Sequence, residues 1–145
     1  MKKNFRQSNS KKLYEIIKFP SFETKGGILT MIQGGKKIDE VPFEIKRVLI
    51  TKCGTESGER GAHTHHKSRQ IFFALSGECM VELDNGKDKA TVTLSKSEEG
   101  LLMEPYVWHT MKNFKENTVT LALFNTVYDE KDYIRSYEEF RSYIK

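Results

Sequence analysis

The chain has 145 residues, 37% of them hydrophobic and 30% charged, and a formal net charge of +4 at pH 7, the balance of one soluble domain with a real core. No apolar run approaches the roughly 20 residues of a membrane helix, and no hydrophobic stretch follows the Lys-rich start as in a signal peptide, so the expected location is the cytoplasm. The cations are dispersed among acids, which argues against a nucleic-acid surface and fits a pocket for a phosphorylated small molecule.

Residues 1–10 are polar and basic, with a tip expected to be loose. Short β-type segments follow at Leu13–Phe19, Ile28–Gln33, Ile45–Thr51, Gln70–Leu75, Glu78–Asp84, Ala90–Leu94, Gly100–Met103 and Thr118–Asn125. Asp84-Asn85-Gly86 is a hairpin signal, because Asn and Gly accept positive φ cheaply. Val81, Leu83, Val92 and Leu94 alternate with polar residues, as in a half-buried antiparallel sheet. In Thr118–Asn125 both faces are apolar enough to predict a strand covered on both sides. The period then changes: Tyr133, Ile134, Tyr137, Phe140 and Ile144 recur at helical spacing, with Asp129 as the predicted N-cap of an amphipathic C-terminal helix. No linker or repeat divides the chain, so residues 1–145 are expected to form one domain. Cys53 and Cys79 form no CxxC pair and are expected as free thiols. About eight short strands with turn signals point to a small barrel or jelly roll with a ligand cavity at its mouth.

The chemistry concentrates in Arg60-Gly61-Ala62-His63-Thr64-His65-His66, which holds three of the four histidines; the fourth is in Pro105-Tyr106-Val107-Trp108-His109. Residues two apart on a strand share a face, so His63 and His65 aim two imidazoles into one pocket, while His66 is expected to face solvent. Imidazole titrates near neutral pH and serves equally as proton carrier or metal ligand. The spacing resembles the cupin motif of Gly, His-x-His, three or four residues, Glu, six residues, Gly. Here it runs His63-Thr64-His65, four residues, Gln70, six residues, Gly77, and the second cupin motif is similar to Pro105…His109-x-x-x-Asn113. Gln70 stands where a metal cupin has Glu. A neutral amide is a poor ligand for hard divalent cations, although three imidazoles alone hold zinc. Without metal, paired histidines suit proton transfer beside a carbonyl, one ring abstracting and the other relaying, with His109 placed to bind substrate or stabilise an enediolate.

Taken in order, Pro42-Phe43-Glu44-Ile45-Lys46-Arg47-Val48, Arg60-Gly61-Ala62-His63-Thr64-His65, Gln70…Gly77, Pro105-Tyr106-Val107-Trp108-His109 and Tyr128-Asp129-Glu130-Lys131-Asp132-Tyr133-Ile134-Arg135 resemble the dTDP-4-keto-6-deoxyhexose 3,4-ketoisomerases. That resemblance implies an all-β cupin without metal or other cofactor, homodimeric with exchanged strands, the N-terminal arm among the candidates for exchange. The implied substrate is a dTDP-linked 4-keto sugar, converted through an enediol to the 3-keto isomer that an aminotransferase consumes. His63 and His65 match the catalytic pair, and His109 a pocket position that bears on C4 configuration. Arg47 and Arg60 match basic positions suited to a diphosphate, for which a guanidinium fork is the better partner. Gln70 and Trp108 complete the expected substrate-binding set. Two positions depart from the family: Leu49-Ile50 replace a common Tyr-Tyr, and Gly26-Gly27-Ile28-Leu29, preceded by Lys25, replaces Arg-Gly-x-Leu. A sugar epimerase, a non-catalytic sugar-nucleotide-binding cupin and a metal-dependent oxygenase stand as rival readings of the same histidines.

Overall fold

The Asp84-Asn85-Gly86 signal folds as its chemistry dictates. Gly86 takes φ +88 and donates its N–H to Asp84 Oδ1 at 2.6 Å, while Asn85 Oδ1 accepts from the backbone of Lys87 and Asp88. The turn joins β7 (Cys79–Asp84) to β8 (Lys89–Leu94), whose Val81, Leu83 and Leu94 are buried. The computed structural model describes residues 12–144; the expectation for residues 1–10 lies outside them.

Ten further strands are described: β1 (Glu15–Lys18), β2 (Ser21–Thr24), β3 (Gly27–Thr30), β4 (Arg47–Cys53), β5 (Arg60–His65), β6 (Gln70–Ser76), β9 (Glu99–Met103), β10 (Trp108–Lys112), β11 (Thr118–Phe124) and β12 (Tyr133–Ile134). They assemble antiparallel into two five-stranded sheets, ordered β1-β9-β6-β11-β4 and β12-β5-β10-β7-β8, with β2-β3 as a separate hairpin. This is the jelly roll of a cupin, as the alternation and the histidine spacing predict.

The central strands of the first sheet, β9, β6 and β11, are covered on both faces. Phe72, Ala74, Ala122 and Phe124 join Cys79, Val81, Leu83 and Leu101 between the sheets. Their neighbours Ile71, Phe73 and Leu123 point the other way and pack under Ile17, Phe19 and Val41. The near-continuous apolar run of β11 therefore reflects two cores, each removing side chains from water at ~25 cal/mol per Å². Both Cys53 and Cys79 are buried free thiols.

The C-terminal segment corrects one expectation. Asp129 caps only a 3-10 turn over Glu130–Asp132, accepting from the Lys131 N–H. Tyr133 and Ile134 then pair as β12 with His65 and Thr64 of β5. The helix, α1 (Tyr137–Tyr143), begins after Ser136, whose hydroxyl accepts from the Glu139 N–H. Helical periodicity in Tyr133 and Ile134 was overridden by the unpaired edge of β5, which needs backbone partners. The helix docks through buried Phe140, Tyr137 Oη donating to Asp84 Oδ2 at 2.7 Å, and Arg141 Nη1 donating to the Gly86 carbonyl at 2.9 Å.

Candidate active site

A break in β5 aims the histidines. Gly61 and Ala62 both take positive φ, +81 and +56, and the register against β10 shifts between His109 and Thr110. A Cβ at Gly61 would meet Met111 Sδ at 3.0 Å and the His109 carbonyl at 3.1 Å, so the bulge is built for a residue without one. Beyond it His63 lies opposite His109, and His65 opposite Tyr133. On the facing sheet Gln70, Phe124 and Arg47 form one row across β6, β11 and β4. The two rows enclose a pocket at one end of the sandwich.

Inside it, ring centroids stand 4.7 Å apart for His63–His109, 5.2 Å for His63–His65 and 6.0 Å for His65–His109. The hydrogen bonds fix two tautomers. His65 Nδ1 lies 3.0 Å from Asp132 Oδ2, and that carboxylate also accepts from the Ser68 hydroxyl and from the Lys67 N–H at 2.6 Å. An ionised carboxylate only accepts, so His65 carries its proton on Nδ1 and leaves Nε2, which is buried and has no partner among the described residues, as a free lone pair. His109 Nδ1 faces the Val107 carbonyl at 3.1 Å and is likewise protonated there, so its Nε2 accepts from the Gln70 amide at 3.3 Å.

Desolvation keeps these rings neutral. Burial, with His65 and Arg135 nearby, lowers the His63 pKa to about 4. Burial and the neighbouring His109 lower that of His65 to about 4, the Asp132 charge opposing them. Burial and His63 take His109 down to about 3. Burial opposes ionisation of Asp132, but the Ser68 hydroxyl, the Lys67 N–H and His65 outweigh it and hold the carboxyl below its usual value. The site thus holds uncharged bases near neutral pH, one of them braced by a carboxylate.

The donor nitrogens of His63, His65 and His109 lie within 4.8 Å of one another. Three neutral imidazoles fit a zinc-like cation. Gln70 contributes no anion, and its amide is already engaged with His109.

The other expected residues separate. Arg47 enters the pocket: its guanidinium sits 3.9 Å above the Phe124 ring and Nη1 donates to Tyr133 Oη at 3.3 Å. Gln70 is buried at the back, and Arg60 is exposed at the outer end of β5. Trp108 stands apart from these. It alternates with His109 and turns to the opposite face of β10, 5.4 Å from Tyr137 and 5.7 Å from Phe140, where it lines a separate groove of about 640 Å³. His66 is a correction. It is half-buried because α1 covers that face; its Nδ1 lies 3.0 Å from Tyr106 Oη and its ring 4.9 Å from that of Tyr143.

Two pocket residues carry no role in the sequence reading, Asp132 and Tyr133. Tyr133 packs 4.5 Å from His65 and 5.1 Å from His63. Outside it, Tyr128 and Arg135 both bond Glu130, and Arg135 stacks on Tyr133 at 4.5 Å. Their signal was the Tyr128–Arg135 run, distinctive as a string but with no position until β12 pairs with β5.

Comparison with known proteins gives the relatives of this chain. The chain is 38% identical over 130 residues to the TDP-4-oxo-6-deoxy-alpha-D-glucose-3,4-oxoisomerase of Aneurinibacillus thermoaerophilus, covering 90% of this chain and 91% of that one. A crystal structure of a histidine-to-asparagine mutant of the 3,4-ketoisomerase QdtA from Thermoanaerobacterium thermosaccharolyticum, in complex with TDP-4-keto-6-deoxyglucose, superposes with a TM-score of 0.84 at 35% identity, over 90% of this chain and 93% of that one. WlaRA, a TDP-fucose-3,4-ketoisomerase from Campylobacter jejuni, gives 0.82 at 36% identity, over 91% and 96%. The family model described as FdtA: WxcM-like, C-terminal matches residues 12–145, and the chain belongs to that family.

Proposed function

We propose that this chain, as a single cupin domain, is a sugar-nucleotide 3,4-ketoisomerase that converts a dTDP-4-keto-6-deoxyhexose to its 3-keto isomer through an enediolate. One observation carries the reading: His63 and His65 stand side by side in a desolvated pocket as neutral bases, with His65 Nε2 left free by the Asp132 bond to Nδ1. A base held uncharged can take the C3 proton at physiological pH, exchange it with solvent and deliver a proton at C4. The named activities of the relatives support the substrate class.

In this reading His63 and His65 carry the protons. His109 and Gln70 line the sugar end of the pocket, and Arg60, exposed at the outer end of β5, meets the diphosphate. The reaction needs no metal or other cofactor. The protein works in the cytoplasm as a homodimer with exchanged strands, and its product feeds an aminotransferase.

Incubation with dTDP-4-keto-6-deoxyglucose in deuterated water, read by NMR, tests it. The expected product has the ketone at C3 and deuterium at C4, and His63→Asn and His65→Asn each abolish its formation while the fold persists. Full activity in both variants sinks the mechanism. Inverted centres with the ketone still at C4 mark an epimerase, and tight binding without exchange marks a non-catalytic binder.

A further inference from the structure

We infer that Arg47 and Tyr133 together form the oxyanion site of this reaction, Tyr133 supplying the hydroxyl that Leu49 and Ile50 lack. The inference rests on the ketoisomerase reading and gives Arg47 a different task from the diphosphate binding expected from sequence.

A guanidinium has donors only, so in the Arg47–Tyr133 hydrogen bond of 3.3 Å the phenol oxygen accepts. The phenolic hydrogen is then free to donate to something else. Arg47 Nε is buried and has no partner among the described residues. A buried N–H left unsatisfied is costly, more so on a charged group, and marks a place where an acceptor belongs. The two spare donors, Nε–H and Oη–H, belong to side chains that touch each other. They lie beside the bases, since the Tyr133 ring packs against both His63 and His65. Phe124 covers the guanidinium at 3.9 Å and strips water from that face, so its charge acts at reduced dielectric.

The alternation of β4 shows why Leu49 and Ile50 cannot do this. Arg47, Leu49, Thr51 and Cys53 share the face that ends in the buried Cys53, while Ile50 points outward. Leu49 is the neighbour of Arg47 on that face, about half exposed, and has no hydroxyl. Packing alone does not explain Tyr133 either, since a phenylalanine would fill the same space without a hydroxyl held against a cation.

The step is balanced within the sugar. A histidine removes the proton from C3; the C–H electrons form C3=C4 and the carbonyl π electrons move to O4. Arg47 and Tyr133 donate to that oxygen as its charge develops. O4 then gains a proton while O3 loses one. Protonation at C4 draws the electrons of O3 into the new C3 carbonyl, so one hydrogen has moved from C3 to C4 and another from O3 to O4. Donors aimed at a charge present only after proton abstraction lower the barrier without tightening substrate binding.

Tyr133→Phe tests this. Removing one oxyanion donor costs about 10²–10³-fold in kcat. A loss of tenfold or more in kcat, with KM and the thermal midpoint near wild type, is the expected result. A loss below tenfold, or one confined to KM, overturns it. The two failures are distinguishable: a wild-type protein that never turns over the keto sugar removes the ketoisomerase reading and this inference with it, whereas an active wild type with an equally active Tyr133→Phe removes the inference alone.

Discussion

His65 and Asp132 form a hydrogen-bonded pair, Nδ1 to Oδ2 at 3.0 Å, in which both side chains are more than nine-tenths shielded from solvent. The carboxylate decides which ring nitrogen is basic. Asp132→Asn keeps the size but can turn its amide N–H toward His65, which would put the ring proton on Nε2 and remove the lone pair from the pocket. In a triad of the same logic the corresponding change lowers kcat by about 10⁴. Here we expect a loss of 10²-fold or more, again by that tautomer argument. Steady-state kinetics measure it, and ¹⁵N shifts of His65 report the tautomer directly. Normal kinetics with the tautomer unchanged would show that Asp132 only packs.

Acid should weaken the fold before it weakens most proteins. Burial and mutual repulsion hold His63 and His65 at about 4 and His109 at about 3, against an ordinary 6.5. Below pH 6.5 the unfolded chain takes up protons that the folded chain refuses, so stability is full above that value and falls as the pH drops towards 4. The thermal midpoint should therefore decline across this window, and replacing the three histidines by asparagine should flatten the decline. The same shifts place the acid limb of kcat/KM nearer pH 4 than pH 6.5. A limb at 6.5 would mean that the working base is none of these rings.

What the sequence could and could not reveal follows the range of the interactions. His63, His65, Gln70 and Gly77 were legible because a strand period and a fixed spacing are local. The direction of Trp108 was legible too, since its alternation with His109 is local; the family string outweighed it. Asp132 and Tyr133 were not, because their roles come from β12 pairing with β5, which brings together His65 and Asp132 from 67 positions apart in the sequence. Periodicity even placed Tyr133 on a helix. His66 failed for a similar reason: α1 covers the face that alternation gives to solvent.

The β2–β3 hairpin and β4 expose an apolar surface that suits a second copy of the chain. Ile28 is 69% exposed, Phe22 55%, Ile50 62% and Val48 55%. Single exposed apolar side chains are ordinary, but runs along a hairpin and an edge strand point to interaction. Light scattering at micromolar concentration should give a dimer, and Ile28→Lys or Ile50→Lys should shift it towards monomer. A monomeric wild type would remove the proposed exchange of strands.

Gln70 separates acid–base chemistry from metal chemistry in this pocket. Its amide donates to His109 Nε2 at 3.3 Å, and the three imidazoles lie within 4.8 Å of each other with no carboxylate among them. Chelators should leave wild-type kcat unchanged. Added zinc should inhibit in competition with the sugar nucleotide, because neutral imidazoles alone still bind it. Gln70→Glu puts an anion where the amide was. A carboxylate cannot donate to His109 Nε2, so the ring keeps its tautomer with no donor, or takes a second proton and its pKa rises. Either way the charge favours a cation, and zinc or manganese should bind at least tenfold more tightly than to wild type while isomerase turnover falls. Calorimetry, the visible spectrum of the Co²⁺ form and metal analysis of the purified variant measure this. Equal affinity in the two proteins would mean that the pocket walls, rather than the missing carboxylate, keep the metal out.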